Sequence, residues 1–329
     1  MVKLSDTFQR KINYLRVSVT DRCNLRCIYC MPPDGIELME HDNILSYEEI
    51  FNIISAAADL GITKIRLTGG EPLSRLVLPE LVRMIKQIKT IDDIALTTNG
   101  LLLGRYAAEL KEAGLNRVNI SLDTLKQDKF EHITRRSGKL SEVLSNIEMA
   151  RNIGLNPVKI NVVVVAGVND DEILDFAGKT ISDGWHVRFI ELMLPVGVST
   201  NSNQFISAKE IKKRLNPLGK MESYRGDITG NGPAKYFRFP HSEGSVGFIT
   251  PVSEHFCHQC NRLRLTSDGI LRPCLLSEDE IDLKTPLRNG SSAEELRNLI
   301  KKAVTIKPLS HHIDKGYMPQ DRPFSQVGG

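Results

Sequence analysis

Residues 14–30, YLRVSVTDRCNLRCIYC, join an alternating apolar segment to a cluster of cysteines. The alternation in the first part predicts a strand. In the second part Cys23, Cys27 and Cys30 follow the spacing C-x3-C-x2-C. An iron–sulfur cube takes one thiolate per iron, so three local cysteines predict a [4Fe–4S] cluster with one iron open to another ligand. The alternative is a zinc site with His41 as its fourth ligand, although zinc ligands usually come in paired arms.

The composition is that of an ordinary globular protein. The chain has 329 residues, of which 41% are hydrophobic and 25% are charged, and its net charge is +3. That charge does not indicate a nucleic-acid partner. The first residues lack the apolar core of a signal peptide, and no apolar run reaches the length of a membrane span. We therefore predict a cytoplasmic protein with no membrane partner, in which six cysteines indicate metal or redox chemistry before disulfides.

Six strand patterns, each followed by a helix pattern, fill the chain up to residue 195. This alternation predicts a parallel sheet with right-handed crossovers. The predicted strands are Tyr14–Thr20, Lys64–Thr68, Ile94–Thr98, Arg117–Asp123, Lys159–Val165 and His186–Glu191.

Within these strands, polar residues alternate with apolar ones. Helices must cover the apolar face, so the polar face looks inward. A closed eight-stranded barrel fills its interior with apolar side chains, whereas here five cations point inward. The sequence therefore predicts an α/β fold with an incomplete (β/α)6 TIM-type barrel and an open lumen. The inward cations are Arg16, Lys64, Arg66, Lys159 and Arg188.

The pattern changes after residue 195. A polar stretch, Val196–Phe205, predicts a linker, so we divide the chain into a barrel at 1–195 and a C-terminal α+β segment at 196–329 that caps the barrel mouth. The segment holds a second cysteine triad with the spacing C-x2-C-x13-C, namely Cys257, Cys260 and Cys274. Three thiolates again predict a cluster.

The residues near the second triad leave an alternative open and add a binding feature. His255 and His258 are close enough in sequence to complete a zinc site instead. Arg262 and Arg264 share one face of a predicted strand and suit phosphate or carboxylate. The pair His311-His312 is predicted to be a surface feature.

The cysteine motif C-x3-C-x-aromatic-C resembles that of the radical S-adenosylmethionine (SAM) superfamily. Over its whole length the chain resembles the GTP 3′,8-cyclase family, the molybdenum cofactor biosynthesis protein A family within that superfamily. One departure is that Leu76-Val77 follow Arg75, where the family commonly has a second Arg and an Asp. The matching stretches are Cys23–Pro32, Gly69–Pro72, Thr97–Gly100, Ile120–Asp123, Phe256–Cys274 and Gly328-Gly329.

The resemblance implies roles for individual residues. Each cysteine triad would hold a [4Fe–4S] cluster, the first binding SAM and the second binding the guanine of GTP. The implied SAM contacts are Tyr29, Gly70, Ser121 and Met193. The implied GTP contacts are Arg16, Lys64, Arg66, Thr97, Lys159, Arg188, Arg262, Leu263 and Arg264. The implied catalytic residues are Arg16, Arg262, Arg264 and the terminal Gly328 and Gly329.

The resemblance also implies a reaction. SAM would be cleaved reductively, hydrogen would leave the ribose C3′ of GTP, and C3′ would bond to guanine C8. The product would be (8S)-3′,8-cyclo-7,8-dihydroguanosine 5′-triphosphate, which a companion synthase would convert to cyclic pyranopterin monophosphate in molybdenum cofactor biosynthesis. An electron donor is required, and we expect a monomer or homodimer.

Three other functions remain open from the sequence. A radical SAM maturase that modifies peptides would also carry an auxiliary cluster, but such maturases usually have more C-terminal cysteines. A two-cluster electron carrier would need no cation-lined lumen. A zinc-binding nucleotide-recognition module would contain zinc and no sulfide.

Overall fold

In the computed structural model, the described residues are 4–193, 204–226, 232–313, 322 and 324–328. They form one twelve-stranded sheet with helices between most of its strands. The strands are β1 Tyr14–Ser18, β2 Lys64–Thr68, β3 Asp93–Thr98, β4 Arg117–Ser121, β5 Lys159–Val164, β6 His186–Glu191, β7 Glu222–Ser223, β8 Lys235–Arg238, β9 Ser245–Ile249, β10 Arg262–Leu265, β11 Ile270–Arg272 and β12 Ile281–Asp282. The helices are α1 Tyr47–Asp59, α2 Leu78–Lys86, α3 Leu103–Ala113, α4 Gln127–Thr134, α5 Leu140–Asn152, α6 Ile173–Ser182, α7 Ala208–Arg214, α8 Lys284–Arg288, α9 Ala293–Thr305 and α10 Phe324–Val327.

The first six strands lie side by side in chain order and are parallel, as the sequence predicts. The sheet is nevertheless wider than predicted, because the C-terminal part adds a parallel strand to each side. Strand β10 pairs with β1, and β9 pairs with β6. Without them β1 and β6 would expose unpaired backbone groups along their outer edges. Antiparallel strands then continue the sheet outward on both sides.

The helices form where local signals place them. Helix α1 begins at a reciprocal capping box between Ser46 and Glu49, and α9 begins at a second one between Ser292 and Glu295. Each box satisfies two backbone donors that a helix start leaves free. Buried apolar residues of α1 and α9 belong to one hydrophobic core with the apolar face of the sheet. No helix of the described chain is long and apolar enough to cross a membrane.

Glu191, at the end of β6, ties the strand to two C-terminal segments. Its carboxylate is 1% exposed and accepts hydrogen bonds from the backbone N of Ala208 at 2.8 Å, of Val252 at 3.1 Å and of Ser253 at 2.9 Å. The Ser253 hydroxyl donates to it as well. One buried carboxylate therefore holds together the end of β6, the start of α7 and the loop after β9.

Replacing Glu191 with alanine is expected to lower the free energy of unfolding by about 3 kcal/mol, because several buried donors lose a charged acceptor. Anaerobic denaturant unfolding measures this. Glu254→Ala is the matched control, since that exposed carboxylate pairs with Lys235 only at the surface and should cost less than about 1 kcal/mol. Equal losses in both variants would contradict the role of Glu191.

Candidate active site

A cavity of about 340 Å³ lies at the carboxyl ends of the central strands. All six cysteines line it, so the two triads that are far apart in sequence face one space. Parallel α/β sheets place their chemistry at this edge. The fold thus brings both predicted metal-binding sites together.

The first triad fits an iron–sulfur cluster by its chemistry. Residues 23–30 wrap back on themselves, with the backbone N of Cys30 donating to the Cys27 carbonyl at 2.9 Å. Burial raises the pKa of Cys23 to about 11, and the charge of Glu71 adds to the effect. Burial also raises the pKa of Cys30 to about 12, with smaller contributions from Cys23 and Asp123. Three close, half-buried thiolates need a positively charged core, which the irons of a cluster supply.

The second triad lies in a more positive environment. The backbone N of Cys260 donates to the Cys257 carbonyl at 3.0 Å. Burial raises the pKa of Cys260, but the charges of Arg262 and Lys307 outweigh it and lower the pKa to about 6. Cys260 is therefore prepared to bind as thiolate, whereas burial raises the pKa of Cys257.

The histidines of the zinc alternatives do not join the triads. His41, His255 and His258 are exposed, and none of them lines the cavity. Within the described residues, no three His, Cys, Asp or Glu side chains are arranged to hold a single metal ion. In a cube each thiolate binds a different iron, so a cluster does not require that arrangement.

Two of the arginines predicted in the lumen, Arg16 and Arg66, form a row across three strands with Arg264. In the sheet register Arg264 of β10, Arg16 of β1 and Arg66 of β2 are neighbours. Burial, followed by the charge of Arg262, lowers the pKa of Arg264 to about 10. Such a row of like charges is costly on its own and suits a polyanionic ligand.

The C-terminal tail reaches this row. The Gly328 carbonyl accepts hydrogen bonds from Arg16 Nη2 at 2.8 Å and from Arg264 Nη1 at 2.8 Å. The end of the chain therefore lies against the cavity instead of fraying, as the resemblance implied for Gly328. Gly329 lies outside the described residues.

Comparisons with known proteins cover the chain from end to end. Residues 17–179 match the model of the radical SAM superfamily, and residues 185–313 match that of Molybdenum Cofactor Synthesis C. The GTP 3′,8-cyclase of Moorella thermoacetica is 53% identical over 99% of this chain and 100% of its own length. The GTP 3′,8-cyclase of Pelotomaculum thermopropionicum is 52% identical over 99% of this chain and 100% of its own length. The chain belongs to the GTP 3′,8-cyclase family.

Because the chain belongs to the GTP 3′,8-cyclase family, its cofactors are SAM and [4Fe–4S] clusters. Solved structures agree on the fold. SuiB of Streptococcus suis bound to S-adenosylmethionine aligns with a TM-score of 0.62 at 14% identity, covering 87% of this chain and 68% of SuiB. The shared fold is an α/β fold with a sheet rich in parallel pairs.

Most of the predicted site residues that the structure describes line the cavity, and four of those described do not. Leu263 lies in the hydrophobic core, because it points away from Arg262 and Arg264 on the strand. Lys64 lines a second pocket, beside Asp93 and Arg117 at the amino ends of the strands. Lys159 is 2% exposed and outside the cavity lining, and Gly328 meets the site only through its carbonyl. The residues predicted to contact SAM or GTP or to act in catalysis that do line the cavity are Arg16, Tyr29, Arg66, Gly70, Thr97, Ser121, Arg188, Met193, Arg262 and Arg264.

The Gly69-Gly70-Glu71-Pro72 turn of the GTP 3′,8-cyclase family is built around a buried carboxylate. Glu71 accepts hydrogen bonds from the Thr98 hydroxyl and the Asn99 backbone N, both at 2.7 Å. Burial outweighs these bonds and raises its pKa to about 7. A Cβ on Gly69 would lie 2.5 Å from the Thr20 carbonyl, so glycine is required where this turn meets the end of β1. The turn thus fixes the loops that follow β1, β2 and β3.

Several residues at the site have no binding or catalytic role assigned to them by the sequence predictions. Asp123 accepts a hydrogen bond from the Tyr29 hydroxyl at 2.5 Å, and burial raises its pKa to about 6. His311 is buried and lines the cavity, so the prediction of a surface feature is wrong for it. Residues 307–311 pack beside the second triad, and no local pattern signals that packing. Position at a strand end could have indicated Asp123 and Glu191.

Proposed function

We propose that this cavity is the active site of a GTP 3′,8-cyclase. The observation that supports it most is that two cysteine triads and a row of arginines line one space of about 340 Å³. The reaction converts GTP to (8S)-3′,8-cyclo-7,8-dihydroguanosine 5′-triphosphate, an early step of molybdenum cofactor biosynthesis.

In this proposal each triad holds its own cluster, and the two clusters bind different molecules. Cys23, Cys27 and Cys30 hold the cluster that binds SAM, and Cys257, Cys260 and Cys274 hold the cluster that faces guanine. When bound, the first cluster and SAM supply one-electron radical chemistry at the ribose. Tyr29, Gly70, Ser121 and Met193 position SAM, and all four line the cavity that the first triad lines. The Tyr29–Asp123 hydrogen bond holds the aromatic ring in place.

The cations bind the triphosphate. Arg66 lies next to Arg16 in the sheet register, and Arg188 lines the same cavity. The Nε of Arg188 is buried without a hydrogen-bond partner among the described residues, and a phosphate oxygen would satisfy it. Lys159 is close enough to Arg188 for the two charges to interact. Arg262, Arg264 and the Gly328 carbonyl then orient the nucleoside end.

The finer architecture belongs to the same proposal. Residues 1–195 form an incomplete (β/α)6 barrel, and residues 196–329 cap its mouth and bring the second cluster to it. The inward position of Arg16, Arg66 and Arg188 supports an open lumen. The second triad on the cavity wall supports the cap. The boundary between the two parts lies outside the described residues.

The partners follow from the reaction. A reductant must supply electrons, and a companion synthase would convert the product to cyclic pyranopterin monophosphate. We propose a monomer or homodimer that works in the cytoplasm.

The pH dependence of GTP binding tests the role of Lys159. Burial, and then the charge of Arg188, lowers the pKa of Lys159 to about 6, so the free enzyme holds it largely neutral at pH 7.5. A bound triphosphate would raise that pKa, so binding takes up as much as one proton, and the association constant falls as the pH rises above 6.

Calorimetry of GTP binding in buffers of different ionisation enthalpy measures this uptake. Lys159→Gln should lose it and bind GTP at least tenfold more weakly. Lys126→Gln, at an exposed ion pair with Asp171, should behave as wild type. Proton uptake that persists in Lys159→Gln would remove this residue from the phosphate site.

An anaerobic turnover assay tests the function as a whole. Reconstituted protein with GTP, SAM and dithionite should yield the 3′,8-cyclo product and 5′-deoxyadenosine in equal amounts, as measured by mass spectrometry. Guanosine should not replace GTP, because it carries no phosphate for the cations. SAM cleavage without any change in GTP would favour the peptide-modifying maturase instead.

A further inference from the structure

Residues 307–311, which we call the belt segment, bind the backbone around the second cysteine triad. Lys307 Nζ donates to the Arg262 carbonyl at 2.9 Å and also to the Pro273 carbonyl. These two carbonyls lie two residues after Cys260 and one residue before Cys274. The ammonium group of Lys307 therefore links the backbone just after Cys260 to the backbone just before Cys274.

Arg10 holds the two residues of the belt segment that follow Lys307. Its guanidinium donates to the carbonyls of Pro308 at 2.6 Å and Leu309 at 3.0 Å, and to that of Cys257 at 2.8 Å. Arg10 is itself neutralised by a buried ion pair with Asp6. The belt segment is thus anchored beside all three cysteines.

Lys307 differs from Arg10 because no carboxylate neutralises it. It is 2% exposed, and among the described residues it forms no ion pair with Asp or Glu within 4.0 Å. Its hydrogen bonds go to neutral carbonyls. A buried ammonium is costly unless an anion compensates it. The anion that its charge reaches is the thiolate of Cys260, and its two hydrogen bonds place it on the backbone on either side of the Cys260–Cys274 stretch.

We propose that Lys307 is a positioning residue for the second cluster. It closes the cysteine loop by two hydrogen bonds, and its charge compensates the three thiolates and raises the reduction potential of the cluster. Positive charge favours the reduced form, which carries one more electron, and cluster potentials respond to nearby charge and hydrogen bonding. This inference rests on the proposed function, because it requires a cluster at the second triad.

The test separates the charge of Lys307 from its hydrogen bonds. Lys307→Gln keeps a donor without the charge, Lys307→Met keeps neither, and Lys307→Arg keeps both. Lys302→Met, on the exposed face of α9, is the matched control. The measurements are iron and sulfide per chain, and a redox titration followed by electron paramagnetic resonance. Added SAM identifies the first cluster, because only its signal should change.

We expect the potential of the second cluster to shift to more negative values in Lys307→Gln and Lys307→Met, with the first cluster unchanged. Lys307→Met should also lose iron from the second site faster than Lys307→Gln. Lys307→Arg and Lys302→Met should match wild type. An unchanged potential in a Lys307→Gln protein that holds both clusters would overturn the inference alone. Wild-type protein without a second cluster would overturn both the inference and the proposed function.

Discussion

Cys274→Ala is expected to retain SAM cleavage and to lose GTP conversion. Cys274 lines the same cavity as the first triad and completes the second one. Two protein thiolates do not hold a cube that requires three. Iron should therefore fall from about eight to about four per chain, the count for one cube instead of two. SAM cleavage depends on the first triad and should continue without product.

The measurement pairs iron and sulfide analysis with separate assays of 5′-deoxyadenosine and the cyclised nucleotide. Cys30→Ala is the matched variant on the other side of the cavity, and it should lose SAM cleavage while retaining about four irons. If Cys274→Ala still converts GTP at the wild-type rate, the second triad has no part in the reaction.

Gly328→Ala is expected to reduce cyclisation about 100-fold, equivalent to about 2.7 kcal/mol. Gly328 has a φ of +70°, a conformation that costs other residues about 1–2 kcal/mol. An added Cβ would also lie 2.6 Å from Thr68 Cγ2. Both effects move the carbonyl that Arg16 and Arg264 bind, and with it the side chains that orient the substrate.

Product formation and SAM cleavage are again measured separately, because the tail should affect the first more than the second. The control is Gln326→Ala, two residues away. The double variant Thr68→Ser/Gly328→Ala removes the methyl contact and should recover part of the loss, since only the backbone cost remains. Wild-type activity in Gly328→Ala would mean that the tail has no role in catalysis.

The sequence predicts the fold wherever the signal is local. Strands β2 and β6 begin and end at the predicted residues, and the cap of α1 lies at Ser46. Inward cations could be predicted because a strand alternates its side chains with period two. The same rule predicts that the side chain of Leu263 lies in the core, which disagrees with the contact to GTP that the resemblance implied.

What the sequence could not predict depends on long-range packing. Nothing local shows that β10 lies beside β1, or that Lys307 and His311 return to the second triad. A buried lysine or histidine has the same sequence signature as a surface one. Family resemblance supplied part of this information, since it implied that Gly328 enters the site.

The order of the strands in the sheet also determines how long strand edges stay unpaired during synthesis. Strands β1 and β6 emerge from the ribosome well before β10 and β9, which pair with their outer edges. At about 5–20 residues per second, the edge of β6 remains uncovered for about 3–11 seconds and that of β1 for about 12–49 seconds in the nascent chain. Uncovered edges are sites of intermolecular pairing. A polypeptide truncated before residue 245 would lack the strands that cover these edges and would therefore aggregate. Until translation is complete, the full-length chain would rely on chaperones for the same reason.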